Sequence, residues 1–438
     1  MVVDFFRRNG HWLRATRFIL DYQCSPDVFE ESLLVPALQS GNLHTLLDHM
    51  LLIDTTLEKW GPYFTSMCRY LVNHKFYHVL YEVQLFMKDF IRASVTCTRY
   101  FFLGSAQSYR DLASRINFLQ NAEQHLHSYL EPSHWGNVPR PQILTNSSPG
   151  ATPQRSVCLK SSMEMEETAV RLAKSPAEIK KQIFRINLQI EVTKFLETCL
   201  NRADSSAANV AVNHVASHKY GPPTLFGNTQ VRIDLVTMVL MSCDSCDDDR
   251  KKGFEIALKI IKEYKLDKKT VFCHAGRGLV KLHRYDDIKY LVNWITIMKL
   301  GDSKMCDAVI DACMVGIADQ RHTFSESQIK ESGSLIDCMK ADSNKINAYI
   351  LLGKLKTAYL LAVKSNNIEE IKHISREAGR LGQMAQDETV SLLLPDKMLP
   401  VFLWSVLDFF LVYKTRVFFI STSRLLVPMY DKFFLNEH

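Results

Sequence analysis

The residues that could do chemistry are few, and their spacings are incomplete. Cys243-Asp244-Ser245-Cys246 is a lone C-x-x-C, followed by Asp247, Asp248 and Asp249. A structural zinc needs two further ligands at matching spacing. The nearest candidates, Cys273 and His274, adjoin each other and lie beyond an intervening helical pattern. A solvated acidic loop with two incidental thiols is the expectation. His74 and His78, like His214 and His218, stand four apart, which puts two imidazoles on one face of a helix. The zinc-protease motif also needs Glu after the first His, and here Lys75 and Val215 hold that position. The first pair is expected on a helix surface and the second in a loop.

Phosphate and acyl-transfer signatures fail in the same way. Gly276-Arg277-Gly278 has Lys281 where a dinucleotide loop needs its third glycine, and no strand precedes it. Gly353-Lys354 has Ala348 where a P-loop needs its upstream glycine, and G-x-S-x-G does not occur. Glu369-Glu370 reads as a solvated helix face. No catalytic, cofactor-binding or metal-binding residue is assigned, no cofactor is expected, and the chain reads as a non-enzyme.

The scaffold around these residues reads as all-helical. The 438 residues are 47% hydrophobic and 23% charged, which is globular usage. With only 17 Gly and 14 Pro, the many tight turns of a sandwich or barrel are not provided for. Lys and Arg number 53 against 47 Asp and Glu, too even a balance for nucleic-acid binding. The basic runs are short (Arg7-Arg8, Lys180-Lys181, Arg250-Lys251-Lys252, Lys268-Lys269) and lack interleaved aromatics. Their default role is helix surface charge, with contact to an acidic partner or lipid headgroups as the alternative. The N-terminal MVVDFFRRNGHWLR lacks the apolar core of a secretory signal, so the 11 cysteines are expected as reduced thiols of a cytoplasmic protein. Met398 to Tyr413 is continuously apolar but too short to cross a bilayer, and it contains Pro400 and Asp408.

Residues 1–131 read as an N-terminal helical-repeat array. From Phe76 to Phe102 an apolar stripe through Leu80, Val83, Met87 and Phe90 predicts one helix. Ser40-Gly41-Asn42, Gly61-Pro62 and Gly104-Ser105 suit helix–helix turns. Residues 132–175 carry five prolines without apolar period and read as a disordered Pro/Ser linker. Residues 176–200 read as a single helix, opened by Ser175 as N-cap, Pro176 at N1 and Glu178 at N3. Residues 201–230 read as a loop ending in the rigid turn Pro222-Pro223-Thr224-Leu225-Phe226-Gly227-Asn228. Residues 231–394 read as a C-terminal helical-repeat array. Its clearest hairpin has Leu355, Ala358, Tyr359 and Ala362 on one face, Asn366-Asn367 at the turn, and Ile368, Ile371 and Ile374 beyond it. Residues 395–438 form an apolar, atypical tail.

A short helix pair buries its apolar stripe only by stacking on neighbours, which predicts a degenerate α-solenoid of helical hairpins. A compact irregular helical domain is the alternative. No tetratricopeptide or ankyrin consensus is present.

Several blocks resemble one known family, in its order along the chain. They are Phe76 to Ala93, Thr96 to Phe101, Ile190 to Leu196, Pro223 to Asn228, Asp342 to Ile350 and Gly353 to Lys364. Together they resemble the C-terminal region of the spastizin family of FYVE-domain-containing centrosomal proteins. The resemblance spans about residues 42–394. It implies a non-enzymatic helical scaffold in endosomal and lysosomal trafficking, autophagosome maturation, lysosome reformation and cytokinesis at the midbody. It implies a spatacsin-like protein and adaptor-protein complex 5 as partners, with indirect endosomal or lysosomal membrane contact. Endosome, lysosome, centrosome and midbody are the implied locations. The family's FYVE finger holds zinc and reads phosphatidylinositol 3-phosphate, but its R-x-H-H-C-R stretch is absent here. The chain therefore looks like the C-terminal portion without that finger. Residues 395–438 do not resemble the family's ending; a membrane-associated module using this tail is the competing reading.

Overall fold

The computed structural model describes residues 2–102, 106–131, 157–201, 221–243, 247–319 and 326–386. Every regular element among them is a helix. The chain divides into two compact units, residues 1–266 and 267–438.

The first unit runs α1 (Val2–Arg8), α2 (Trp12–Asp21), α3 (Pro26–Phe29), α4 (Val35–Ser40), α5 (Leu43–Ile53), α6 (Gly61–Asn73), α7 (Tyr77–Phe86) and α8 (Phe90–Phe102). It continues through α9 (Tyr109–Ala113), α10 (Ile116–Leu130), α11 (Val157–Lys174), α12 (Pro176–Asn201), α13 (Thr229–Met241) and α14 (Asp247–Tyr264). Phe29, Trp60 and Tyr63 meet in one aromatic cluster. Burying each contributes roughly 1.5–3 kcal/mol. Their polar atoms are satisfied inside it: Trp60 Nε1 donates to Met50 O at 3.1 Å, and Tyr63 Oη donates to Cys24 O at 2.8 Å. The centre of the unit is α12, buried on Ile183, Ile186, Leu188, Ile190 and Val192, positions that go all round the helix. It packs against α9, α10, α11 and α14, which explains why one amphipathic stripe does not describe it.

The second unit runs α15 (Lys268–Lys281), α16 (Tyr285–Ile297), α17 (Ser303–Asp319), α18 (Glu326–Ile336), α19 (Asp342–Leu351), α20 (Leu355–Lys364) and α21 (Ile368–Gln386). Each helix packs on the next, and α15 packs on α17, α17 on α19, α19 on α21 and α16 on α18. Contacts at one and two steps along the chain are the topology of stacked hairpins. The expected helical-repeat solenoid is the fold.

What repeats is the turn. After α1, α2, α4, α6, α7, α14, α15, α16, α19 and α20 the chain takes one left-handed residue: Gly10, Gln23, Gly41, Lys75, Lys88, Lys265, His283, Lys299, Gly353 and Asn366. The amide after it reaches back across the last turn, as in Phe76 N to Leu71 O at 2.9 Å, Asp89 N to Gln84 O at 2.8 Å and Leu300 N to Ile295 O at 3.1 Å. This is the Schellman closure, which satisfies carbonyls that a helix end leaves open.

Three expectations need correction. The single helix over Phe76 to Phe102 is two, α7 and α8, because Lys88 turns left-handed at φ 56°. Of its stripe, Leu80, Val83 and Met87 are buried and Phe76 is exposed. The linker over 132–175 is helical over Val157–Lys174, held by tertiary contact with α6, α8 and α12; residues 132–156 lie outside the described residues. Between α3 and α4 the helix passes through a π-turn at Glu30–Leu34, where Pro36 supplies no amide and crowds the carbonyl one turn back. The boundary between units falls after Leu266, inside the expected array of 231–394. The tail, 395–438, lies outside the described residues.

Candidate functional site

Among the described residues the candidate metal ligands form no group that could hold a metal ion. Cys243 is buried and its thiol donates to Val239 O at 3.2 Å, while its partner Cys246 lies outside the described residues. Cys273 and His274 belong to α15, in the other unit. The Cys273 thiol faces Ala308 O at 3.5 Å, and burial raises its pKa. His74 and His78 share no helix. His74 ends α6 with its ring stacked on Tyr70, Lys75 turns left-handed, and His78 sits in the first turn of α7. His214 and His218 lie outside the described residues. Among the described residues no group of three or more His, Cys, Asp or Glu is placed to hold a metal ion.

The glycines of the rejected phosphate loops have packing roles. Gly276 lies inside α15, where a Cβ would sit 2.7 Å from Cys313 Sγ. Gly353 makes the left-handed turn before α20 at φ 70°. Glu369 pairs with Lys372 at 3.0 Å on α21, beside an open depression of about 450 Å³ lined by Glu369, Lys372, Ser375 and Arg376.

Four polar arrangements do appear, none marked by a motif. Between α7, α8 and α10, Tyr81 Oη lies 2.8 Å from His125 Nε2. Burial pushes the Cys97 thiol up to about 11 and the Tyr81 phenol up to about 12, and lowers the His125 pKa. All three groups are neutral near pH 7, so the cluster offers no thiolate nucleophile.

The second holds the Pro-Pro turn. Tyr109 Oη donates to Pro223 O at 2.7 Å, Leu225 N donates to Gln189 Oε1 at 2.7 Å, and Arg232 Nε donates to Leu225 O at 2.9 Å. Gly221 is required, with φ 82° and a Cβ position only 2.8 Å from Ala106 O. Arg232 lies over the ring of Tyr264, 4.3 Å from its centroid.

In the third, Arg92 grips Glu166 of α11 through Nε at 3.0 Å and Nη2 at 2.5 Å, and Asp89 through Nη1 at 2.6 Å. The fork geometry suits two carboxylates.

The fourth lies in the second unit. Asp307 of α17 is 1% exposed and accepts from Lys340 N at 2.8 Å, Ala341 N at 2.9 Å and Asn344 Nδ2 at 3.1 Å. A carboxylate from one hairpin thus caps the first turn of α19 in the next, where the helix dipole favours negative charge.

These arrangements join helices; they do not present a reactive group to a cleft. The large apolar side chains left on the surface include Phe5, Tyr22, Leu52, Ile297, Leu360 and Ile368.

Comparison with known proteins agrees with the helical description. Residues 267–393 match the family described as ZFYVE26-like, TPR repeats. That description names tetratricopeptide repeats, although no consensus is legible in the sequence. The left-handed turn accepts Lys, His, Asn, Gln or Gly, so no single residue marks the period. The zinc finger FYVE domain-containing protein 26 of Homo sapiens and that of Mus musculus are each 28% identical to this chain over 384 residues, covering 86% of it. A Dictyostelium discoideum protein is 22% identical over 387 residues. No solved structure matches. The chain spans about 13% of the length of the human and mouse relatives. By its matched repeats and by the relatives it resembles along most of its length, the chain is similar to ZFYVE26-like helical-repeat proteins.

Proposed function

We propose that this chain is a non-enzymatic scaffold that works through protein–protein contacts in endosomal and lysosomal trafficking. The single observation that carries the reading is the run of stacked hairpins over 267–386, coincident with the ZFYVE26-like match. Its proposed partners are a spatacsin-like protein and adaptor-protein complex 5. Its proposed settings are autophagosome maturation, lysosome reformation and midbody abscission, with the protein in the cytoplasm and at endosomes, lysosomes and the centrosome. The relatives' printed name includes a FYVE zinc finger. The sequence here lacks the basic signature of that finger, so phosphatidylinositol 3-phosphate recognition and zinc are assigned to other parts of such proteins. Membrane contact is then indirect. Among the described residues no helix is long and apolar enough to cross a membrane.

Solenoid surfaces suit this work because a stack of hairpins exposes long rows of side chains on a rigid support. The test is affinity purification of the full chain from cells with quantitative mass spectrometry. Enrichment of the spatacsin-like protein and the adaptor subunits over an unrelated solenoid is the expected result. A chain recovered without any of them overturns the assignment.

A further inference from the structure

We propose that Arg185 and Arg232 form a recognition site for a phosphate monoester, carried on a phosphorylated side chain of a partner protein, a reading that rests on the scaffold function above. Three helices of the first unit supply the site. Arg185 comes from α12, Arg232 from the first turn of α13, and Glu263 and Tyr264 from the last turn of α14. Both guanidinium groups lie over the same ring. The Arg232 carbon is 4.3 Å from the Tyr264 centroid, and the Arg185 carbon is 5.2 Å from it.

The charge there does not balance. Arg185 donates through Nε to Glu263 Oε1 at 2.9 Å, and the two side chains are only 18% and 16% exposed. Arg232 spends its Nε on Leu225 O at 2.9 Å, and no carboxylate acts on it among the described residues. Burial opposes its charge, and the neighbouring Arg185 opposes it further. Two cations thus share a half-buried place with one carboxylate. A purely structural clamp gains nothing from this: one cation over the ring would join the helices, and a second adds repulsion where water screens poorly. A bound dianion supplies the missing charge. Among the described residues nothing accepts from the outer nitrogens of either fork, and paired guanidinium donors suit phosphate oxygens.

The surroundings select the source of the phosphate. The guanidinium groups are recessed, with Glu263 among them and Glu191 further along α12, paired with Lys259 of α14 at 2.8 Å. An anionic bilayer is drawn to clusters of exposed cations, and interleaved carboxylates work against it. One phosphate on a single side chain can enter a recessed fork. Phe184, next to Arg185 and 46% exposed, offers the flanking residues of that partner an apolar contact.

The experiment titrates the full chain with a fluorescent glycine-rich peptide carrying one phosphoserine. The same peptide without phosphate, inorganic phosphate, and vesicles containing a phosphatidylinositol phosphate are the other arms, all at one ionic strength. The phosphopeptide should bind saturably, and its unphosphorylated form at least tenfold more weakly. Arg232→Gln should weaken phosphopeptide binding at least tenfold with helical circular dichroism unchanged. Glu263→Gln frees Arg185 and removes a repelling carboxylate, so it should tighten binding severalfold while loosening the contact between α12 and α14. A merely structural cluster would show no such gain. Equal binding of both peptides, binding indifferent to both variants, or no binding would overturn the proposal. Uptake by vesicles without uptake of the peptide would overturn it too, as would binding of inorganic phosphate alone, an adventitious ion only. Recovery of the proposed partners by a chain that binds no phosphopeptide would sink this site and leave the scaffold reading standing. Phosphopeptide binding by a chain that recovers none of them would keep the site and sink that partner assignment.

Discussion

The phenol of Tyr109 donates to the carbonyl of Pro223 at 2.7 Å, joining residues 114 positions apart. Tyr109 is 2% exposed, so neither atom has water to fall back on. The Pro-Pro turn has few amides with which to build its own hydrogen bonds, and it borrows partners from α9 and α12 instead. Tyr109→Phe leaves the carbonyl unpaired and should destabilise the first unit by about 1–2 kcal/mol. Gln189→Leu removes the acceptor of Leu225 N and should act similarly. Denaturant titration measures both, and Gln189→Leu should also accelerate hydrogen exchange at Leu225. Unchanged midpoints would show that the turn is held by apolar packing alone.

Asp307 gives a second measurable clamp. Asp307→Ala strands the amides of Lys340 and Ala341, at about 1–3 kcal/mol for each buried group left unpaired. Asp307→Asn keeps one acceptor oxygen and should lose less. The expected order of unfolding midpoints is wild type, then Asn, then Ala, with exchange accelerated first in α19.

The turns predict a gain instead of a loss. Lys299 adopts φ 50°, where a Cβ meets the backbone at a cost of roughly 1 kcal/mol. Lys299→Gly should raise stability by a few tenths to about 1 kcal/mol despite the extra freedom glycine gives the unfolded chain. The same change inside a helix, Lys289→Gly in α16, should lower it. Paired thermal melts of the two variants test the sign.

Burial lowers the His125 pKa, so the unfolded chain takes up a proton there before the folded chain does. Stability linked to this group is present above the unfolded value, about 6.5, and is lost as pH falls through the lower folded value. Midpoints should therefore fall between pH 7 and pH 5, and His125→Gln should reduce that slope. Protonation would also abolish Nε2 as an acceptor for Tyr81.

Thiol reactivity should follow exposure. Cys338 is exposed, whereas Cys97 and Cys313 are buried and their pKa values are raised by burial. Brief iodoacetamide treatment at mildly alkaline pH should label Cys338 first, with Cys97 and Cys313 labelled only on unfolding. Mass spectrometry of the labelled peptides reads the order.

Much of this protein is legible in its sequence. The apolar periods of Leu355 to Ala362 and Ile368 to Ile374 announce a hairpin, and the Asn366 turn is where the structure puts it. The ordered blocks carry the resemblance to the relatives. The breaks at Lys75, Lys88, Lys265, His283 and Lys299 are not legible, since these residues favour right-handed helix and only stacking fixes them in the left-handed turn. The polar clamps are equally silent: Tyr109, Gln189 and Asp307 look like ordinary helix residues until folding carries Pro223, Leu225 and Lys340 to them. Local pattern determined that helices form. Tertiary structure decided where they end, which buried polar atoms pair, and which rings remain outside, because those outcomes depend on neighbours distant in the chain.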